Sequence, residues 1–495
     1  MHQINRRHLI GCGGAYAALS AIGGSPLFAA ESSATTKTLF DDLAILREAL
    51  TSLHPGLYRY LNPRQAEAGM TVLECAYVNA PDQAARYLAL SRFLATIRCG
   101  HSYANFYNQQ EDVRADLFDR KTRLPFAFRW IDGGMIVTTD HGSGATVMPG
   151  TEVRKINGIR ATEVLARLMP YVRADGHNDA KRRALLSVTN GDAFETFDIF
   201  HGLVFGAPTG GTHRLELLER DQKIRSVEVP AISLKDRRKF RITTPTKSDQ
   251  PLWQWQIRDD GIAVLTMNDW GTYDTKWDWK AWLADRLSAL KGARGLIIDI
   301  RANEGGEDCG DEIIARFATA DVPLGEERRL VRYRTTPKAP DPYLDTWDDS
   351  FRTLGVDAAK YDTRYFRLKR GDTDRVIAAR GPRIDAPMIV LIGPQNSSAT
   401  FQFAARCREA GIATLIGEPT GGNQRGINGG CFFFVRLPSS GLEFDLPLIG
   451  TFPAKPKPDA GLLPDILVRQ SARDITAGHD SAMQVALARL RDGKT

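Results

Sequence analysis

Apolar residues recur at helical spacing in two early stretches of the chain. The first stretch ends at Pro55-Gly56 and carries its apolar face on Leu39, Leu43, Leu46, Leu50 and Leu53. The second carries Tyr87, Leu90, Leu94 and Ile97 on one face. Gly100 is placed to cap the end of this second helix, so His101 is expected on the loop just beyond it. The pattern predicts a mostly helical N-terminal region over residues 31–120.

From Leu124 the pattern changes to short alternating segments. They are separated by Asp132-Gly133-Gly134 and Asn157-Gly158, which are hairpin signals. A short helix follows, with Val164, Leu165 and Leu168 expected to face inward. The pattern predicts a small β-rich module over residues 121–235. The basic, hydroxyl-rich stretch after it predicts an exposed linker over residues 236–254, with charges that are solvated rather than used for binding.

The rest of the chain alternates short apolar runs with helical segments. Buried strands are predicted at 262–267, 296–300, 388–392 and 413–416, and helices at 282–290, 312–317 and 401–407. This order predicts an α/β core over residues 255–470, with a largely parallel sheet that binds ligands beyond the carboxyl ends of its strands. A C-terminal helix is predicted over 471–495. Two loops then become candidates for chemistry, at 301–306 and 393–398.

Composition and charge exclude several classes of protein. With 495 residues, of which 43% are apolar and 25% charged, the chain is expected to be globular with several domains. The 65 basic and 59 acidic residues give a net charge of +6, which is too small and too dispersed to predict binding to nucleic acid. No CxxC or HExxH motif occurs and the nine histidines are scattered, so neither a metal site nor a cofactor is predicted.

The first thirty residues have the pattern of an export signal. Arg6 and Arg7 precede Leu9-Ile10 and an apolar run, rich in glycine and alanine, from Gly11 to Ala30. The paired arginines resemble the twin-arginine signal of bacteria. Cleavage near Ala30 and a periplasmic or secreted mature chain are therefore predicted. Because no later stretch has the apolar length of a membrane span, none is predicted in the mature chain.

The two candidate loops each allow a catalytic and a structural interpretation. Ser397 and Ser398 stand at the predicted start of a helix, where free N–H groups stabilise negative charge. Serine is also a common helix N-cap that needs no chemistry. Gly305 and Gly306 permit backbone conformations that direct N–H groups into an oxyanion hole, although a diglycine is also an ordinary turn.

Together the loops resemble the tail-specific (C-terminal processing) and tricorn family of serine peptidases. The agreement in order and spacing covers roughly residues 255–470 and is carried by the segments 296–306, 388–399, 415–422 and 461–465. The resemblance implies a βαβ core of the ClpP/crotonase-like type. The stretch Gly150 to Gly158 resembles the strand and turn of a PDZ-like domain, with an ordinary hairpin as the alternative.

The resemblance implies a role for several loop residues. Ser398 falls at the position of the nucleophile, and a slip of one residue in the alignment would select Ser397 instead. The N–H of Ala399, with that of Gly305 or Gly306, would form the oxyanion hole. In the tail-specific branch a lysine acts as the base.

Asn423 stands at the position of that lysine. An asparagine cannot accept the serine proton near neutral pH, so either the chain is inactive or another residue is the base.

His101 is the replacement that the sequence offers for the missing lysine. Gly100-His101-Ser102 resembles the glycine-histidine-hydroxyl segment of the tricorn-like and retinoid-binding-protein-like branches, although Gly100 stands where the tricorn protease has a serine. An imidazole with a pKa of about 6.5 suits general-base work. Asp459 is the closest acidic candidate for the third partner, and Glu418 is interpreted as structural.

These residues predict an exported serine-type endopeptidase or carboxy-terminal processing peptidase that acts on peptides or proteins through an acyl-enzyme. Two alternatives remain. One is a non-catalytic binder of apolar ligands or peptides on the same fold, which would use the aromatic stretch from Cys431 to Val435. The other is an esterase-type acyl hydrolase with the same site residues. The proteolytic interpretation requires His101 and Ser398 to share one site.

Overall fold

A computed structural model describes residues 26–143, 147–219, 222–241, 250–325, 327–370 and 376–493. Residues 1–25 of the predicted export signal, including Arg6 and Arg7, lie outside the described residues. The predicted cleavage point near Ala30 falls within the first helix. Among the described residues, no helix combines the length and the apolar character needed to cross a membrane.

Within the described part of the chain, four helices precede the first strand: α1 (Pro26–Leu53), α2 (Pro63–Val78), α3 (Gln83–Thr96) and α4 (Glu111–Phe118). The end of α1 at Leu53 confirms the stop predicted at Pro55-Gly56. The prediction that Gly100 caps α3 is wrong, because α3 ends at Thr96 and Arg98 takes the left-handed conformation, with φ of 60°. Gly100 therefore lies free of the helix, in the loop that carries His101.

The β-rich module forms an antiparallel sheet in the order β1-β2-β3-β5-β6, with β4 paired to β3. Both predicted hairpin turns are confirmed, since Asp132, Gly133, Asn157 and Gly158 all have positive φ. The module's elements are β1 (Phe126–Ile131), β2 (Gly134–Asp140), β3 (Glu152–Ile156), β4 (Ile159–Arg160), α5 (Ala161–Leu168), α6 (Asp179–Leu185), α7 (Thr196–Phe205), β5 (Thr212–Leu218), β6 (Ile224–Pro230) and α8 (Leu234–Arg238).

The start of the predicted basic linker is folded. A capping box between Ser233 and Asp236 begins α8. Arg237 on this helix is buried, and its Nε donates to Asp198 Oδ2 over 2.8 Å. The expectation that the charges of this stretch are solvated therefore does not hold for Arg237, because α7 supplies a buried carboxylate as its partner.

Among the described residues, the C-terminal half contains two six-stranded sheets and one two-stranded sheet. Its helices are α9 (Trp279–Ser288), α10 (Gly310–Phe317), α11 (Ser398–Glu409), α12 (Ala472–Ala477) and α13 (Ser481–Arg491). Its strands are β7 (Gln254–Ile257), β8 (Ile262–Thr266), β9 (Gly295–Asp299), β10 (Val322–Pro323), β11 (Glu327–Val331), β12 (Leu344–Asp345), β13 (Ala358–Lys360), β14 (Phe366–Leu368), β15 (Val376–Ile377), β16 (Met388–Ile392), β17 (Thr414–Gly417), β18 (Asn428–Arg436), β19 (Glu443–Pro453) and β20 (Ile466–Leu467).

The predicted parallel sheet is confirmed in the order β20-β17-β16-β9-β8-β7, with β7 as an antiparallel edge. Both faces of the sheet are covered, which explains the unbroken apolar runs of β9 and β16. Leu296 and Ile298 pack in the cluster that includes Phe403 of α11, whereas Ile297 packs with Ala486 of α13. Because β9 and β16 are neighbours, the loops that follow them meet at one edge of the sheet.

The second sheet is antiparallel, in the order β12-β18-β19-β11-β14-β13, and is not part of the prediction. Its strands come from distant parts of the chain, so no local pattern announces their pairing. Phe433 and Phe444 of the β18-β19 hairpin share one core with Leu46 of α1 and Tyr87 of α3. This shared core places the end of α3, and hence the His101 loop, against the half of the molecule that carries Ser398.

Candidate active site

Ser398 lies at the start of α11 in a conformation that only a few per cent of non-glycine residues adopt. Its φ is 51°, in the left-handed region. The preceding Ser397 is extended and makes no side-chain cap, because its Oγ donates instead to the carbonyl oxygen of Glu304 over 3.1 Å. The structural interpretation of the two serines as ordinary N-caps therefore does not describe this helix.

Side-chain hydrogen bonds join the loop after β9 to the loop after β16. The amide of Asn396 donates to the carbonyl oxygens of Ile300 and of Asn303, the latter over 3.0 Å. Asn396 Oδ1 accepts from the N–H of Gly393 over 2.7 Å. The hydroxyl of Thr400 donates to the carbonyl of Asn303 over 3.1 Å. The backbone around Ser398 is thus fixed from two sides.

Gly305 packs directly against Ser398, at a position where no side chain would fit. Its φ is +117°, and a Cβ added there would lie 2.8 Å from Cβ of Ser398 and 3.1 Å from the nitrogen of Ala399. The N–H of Gly305 donates to Asn303 Oδ1 over 2.8 Å. Gly306, with φ of +136°, has no room for a Cβ beside the carbonyl of Trp270.

The His101 loop is held by Asp175, which sequence reasoning missed. The N–H of Gly100 donates to Asp175 Oδ1 over 2.8 Å, and a Cβ on Gly100 would lie 2.8 Å from the other carboxylate oxygen. The ring of His101 is partly exposed and its centroid lies 5.7 Å from that of Phe432. Its Nδ1 is buried and has no hydrogen-bond partner among the described residues.

His101 shares its electrostatic environment with the loop that packs on Ser398. Burial lowers the pKa of His101, the Asp175 and Glu304 carboxylates oppose that effect, and the Arg173 and Lys181 cations add to it. Glu304 immediately precedes Gly305 in the chain. The imidazole of His101 and the loop that packs on Ser398 therefore face the same group of charges.

A buried network of polar side chains holds the His101 loop in place. The N–H of Gly56 donates to His54 Nδ1 over 3.0 Å, so His54 Nε2 carries the proton and donates to the hydroxyl of Ser102 over 2.8 Å. Burial lowers the pKa of His54 to about 3, which keeps the ring neutral. Asn428 of β18 donates to the thiol sulfur of Cys99 over 3.3 Å. The loop is therefore fixed by the end of α1 and by the second sheet.

Asp459 lies beside Asn423, the residue at the lysine position. Its Oδ1 accepts from Asn423 Nδ2 over 2.8 Å, and its Oδ2 is 2.6 Å from Nδ1 of His177. Asn423 Nδ2 also donates to the backbone carbonyl of Asp175 over 3.2 Å. The side-chain amide of Asn423 thus joins the carboxylate of Asp459 to the backbone of Asp175.

Three further charged residues surround the site without a signal in the apolar pattern. Arg173 and Lys181 both form ion pairs with Glu304, at 2.8 and 3.1 Å. Burial of Glu304 opposes its ionisation, but the two cations outweigh it and lower its pKa to about 2. A lysine as buried as Lys181 normally requires a partner, which Glu304 provides, and the local sequence carries no signal of this burial.

The aromatic stretch of β18 divides between core and surface. Cys431, Phe433 and Val435 are buried in the core, whereas Phe432 and Phe434 are partly exposed. Trp347 is 62% exposed, and its ring lies 5.6 Å from that of Phe432 and 5.7 Å from that of Phe434. These three rings form an aromatic patch next to His101. Among the described residues, no cluster of three or more histidine, cysteine or acidic side chains is placed to hold a metal ion.

The protein has a mixed α/β fold, and the two candidate loops lie at one edge of its parallel sheet. Residues 261–430 match the model of peptidase family S41, so the chain carries an S41 peptidase domain over those residues. The resemblance to tail-specific and tricorn peptidases is thereby confirmed. The domain supports a peptidase function, with a peptide or protein as substrate.

Solved structures of CPAF have a similar fold. The structure of mature CPAF complexed with lactacystin is 14% identical, with a TM-score of 0.59 over 93% of this chain and 100% of that one. A CPAF mutant is 15% identical, with a TM-score of 0.59 over 92% and 97% of the two chains. The photosystem II D1 C-terminal processing protease is 12% identical, with a TM-score of 0.40 over 87% and 93%. No curated protein matches the sequence. The likeness to CPAF confirms the predicted fold class.

Proposed function

We propose that this protein is a serine peptidase in which His101 removes the proton of Ser398 and the serine oxygen attacks the scissile carbonyl. The amine leaves with a proton returned by His101, and water then hydrolyses the acyl-enzyme. The observation that carries the proposal is the left-handed Ser398 at the start of α11, inside an S41 domain. Such strain costs about 1–3 kcal/mol and concentrates at functional sites.

The oxyanion hole would use one N–H from the first turn of α11 and one glycine N–H. The N–H of Ala399 is in the first turn of the helix, where it has no intrahelical acceptor and where the helix dipole favours negative charge. Because the Gly305 N–H already donates to Asn303, we assign the second donor to Gly306. The position of Gly305 against Ser398 would bring this loop to the reacting carbonyl.

His101 fits the task of a base because burial lowers its pKa and keeps the imidazole neutral near pH 7. Because the Nδ1 of His101 has no hydrogen-bond partner in the described part of the chain, a carboxylate would have to approach it to orient the ring during the reaction. Asp459 remains the predicted third member. Asp175 is a second candidate, because it holds the neighbouring Gly100 and its charge raises the pKa of His101.

The aromatic patch of Trp347, Phe432 and Phe434 favours an apolar group near the reacting bond. The ring of Trp347 lies within 6 Å of each of the two phenylalanine rings, and Phe432 adjoins His101. The same patch is the observation that favours the second candidate function, non-catalytic binding of an apolar ligand. An esterase-type activity would use the same serine. A comparison of ester and amide substrates would distinguish it from a peptidase activity.

Export through the twin-arginine route is supported by the leader sequence alone. We propose a periplasmic or secreted location for the mature chain. Replacing Arg6 and Arg7 by lysine is expected to retain the protein in the cytoplasm, as measured by cell fractionation. Equal export of both forms would contradict this route.

The experiment that tests the proposed function combines peptide hydrolysis with labelling by a fluorophosphonate. Ser398→Ala is expected to abolish both, whereas the matched Ser397→Ala should retain labelling because its hydroxyl is bonded to Glu304. His101→Ala should slow labelling at least about a hundredfold. Labelling that survives Ser398→Ala would contradict the nucleophile assignment. Peptides with free and amidated carboxyl ends separate the processing type from an endopeptidase.

A further inference from the structure

Two loops that are distant in sequence must keep a fixed separation if His101 and Ser398 are to work together. A group of three charged side chains lies between them. It consists of Arg173, which follows α5, Lys181 on α6, and Glu304 on the loop after β9. Lys181 is only 2% exposed at its side chain, and Arg173 only 21%. The role inferred for these three side chains rests on the proposed function.

Arg173 connects the His101 loop to the Glu304 carboxylate. Its Nη1 donates to the carbonyl oxygen of Gly100 over 2.8 Å, and its Nη2 donates to Glu304 Oε2 over 2.8 Å. Its guanidinium also stacks over the ring of Tyr103, with the central carbon 4.5 Å from the ring centroid. These contacts bracket His101 on both sides in the chain and restrict how the guanidinium can move.

Lys181 connects the other end of the same carboxylate to the nucleophile loop. Its Nζ lies 3.1 Å from Glu304 Oε1 and donates to the backbone carbonyl of Gln395 over 2.8 Å. The backbone carbonyl of Glu304 in turn accepts from Ser397 over 3.1 Å. Glu304 is therefore bonded to the nucleophile loop directly through its main-chain carbonyl, and its side chain is linked to that loop through Lys181.

We propose that Arg173, Glu304 and Lys181 form a positioning bridge that sets the distance between His101 and Ser398. Glu304 is its centre, since one carboxylate holds both cations. None of the three residues is proposed to touch the substrate. The bridge also balances the charges that face His101, which are Asp175 and Glu304 against Arg173 and Lys181.

Glu304→Gln tests the bridge, because it keeps the shape of the side chain and removes its charge. Glu312→Gln is the matched control, since Glu312 of α10 forms a 3.1 Å ion pair with Arg380 and not with Arg173 or Lys181. Hydrogen–deuterium exchange is expected to accelerate together in residues 98–103 and 393–400 of Glu304→Gln and in neither segment of the control. Acceleration in one segment only, or in none, would overturn the proposal.

Kinetics add readouts that a merely structural role would not move. In Glu304→Gln, kcat should fall about tenfold to a hundredfold with KM changed less than about twofold, because the reacting groups are displaced rather than the substrate contacts. The acid limb of kcat/KM should move to lower pH, since an anion near His101 is lost. Lys181→Met should move it to higher pH, since a cation is lost. Shifts in the same direction would contradict the charge balance.

A second variant and a readout that does not depend on activity keep the test decisive. If Glu304→Gln does not fold, Glu304→Asp retains the charge but is too short to hold both cations, and the same paired acceleration of exchange is expected. If the wild-type chain shows no labelling of Ser398, the proposed function fails, whereas hydrogen exchange still reports on the bridge. The pKa of His101, read by NMR, should then still shift in opposite directions in Glu304→Gln and Lys181→Met.

Discussion

The two sides of the candidate site are built in different ways. On the Ser398 side, short loops leave neighbouring parallel strands, and the geometry comes from backbone conformation, with positive φ at Ser398, Gly305 and Gly306. On the His101 side, the loop is held by side chains that arrive from distant segments. His54, Asp175 and Asn428 each bond to this loop from a different part of the chain.

This difference teaches where each half of the proposed catalytic arrangement is encoded. A strand, a glycine loop and a helix start are consecutive in sequence, so the nucleophile candidate is recognisable as a motif. A base held by long-range polar contacts depends on the completed tertiary structure. The first half should fail when backbone freedom is altered, and the second when single polar partners are removed.

The largest expected contrast comes from two glycine substitutions, Gly305→Ala and Gly100→Ala. Gly305→Ala should lower kcat/KM at least about a hundredfold, because a Cβ would meet Ser398 in a conformation that alanine disfavours. Gly100→Ala should cost about tenfold, because it meets only the Asp175 carboxylate, which can move. Adding Asp175→Ala should lower the kcat/KM of Gly305→Ala further, but should leave that of Gly100→Ala little changed, because the carboxylate that the new Cβ meets is then gone. Equal losses in both single variants would remove the contrast between the two sides.

A smaller effect is expected from the carboxylates of the His101 side. The acid limb of kcat/KM in the wild type should lie below pH 6.5, because burial lowers the pKa of His101. Asp175→Asn should reduce kcat/KM about tenfold and move this limb further down, since Asp175 raises that pKa. Asp459→Asn serves as the matched variant, measured over the same pH range. If Asp459→Asn causes the larger loss, Asp459 is the orienting partner and Asp175 only holds the loop.

The smallest effect concerns stability on the Ser398 side. Ser398→Gly and Ser398→Ala should both be inactive, but the glycine variant should have the higher free energy of unfolding, by about 1 kcal/mol. Glycine adopts the left-handed conformation without the cost that an L side chain carries. Urea unfolding of the two variants measures the difference. An alanine variant as stable as the glycine variant would show that the backbone at Ser398 is unstrained.

The sequence predicts the parallel sheet well because its buried strands are continuous apolar runs. The strand at Met388 to Ile392 has the predicted bounds, whereas α11 begins at Ser398, three residues before the predicted start at Phe401. The amphipathic signal of that helix begins only with its apolar residues. The antiparallel sheet could not be predicted, since β11 pairs with β19 across most of the core.

The same distinction applies to the site. Ser398, Ala399 and Gly305 follow from the motif, and the structure places them together. Asp175 and Lys181 lie in a polar stretch with no apolar period, and their importance arises only when folding brings them to His101 and Glu304. Their burial is a product of the tertiary structure, so no spacing rule applied to residues 173–181 could identify them.

The shared core of the N-terminal helices and the β18-β19 hairpin determines when the site can assemble during synthesis. The partners of the His101 region on that hairpin, Asn428 for Cys99 and Asp445 for Asn105, are translated after Ser398. A nascent chain that has released Ser398 from the ribosome therefore still lacks the contacts that fix its base. Under the proposed function, the order of translation would therefore delay assembly of the active site until most of the polypeptide has been made.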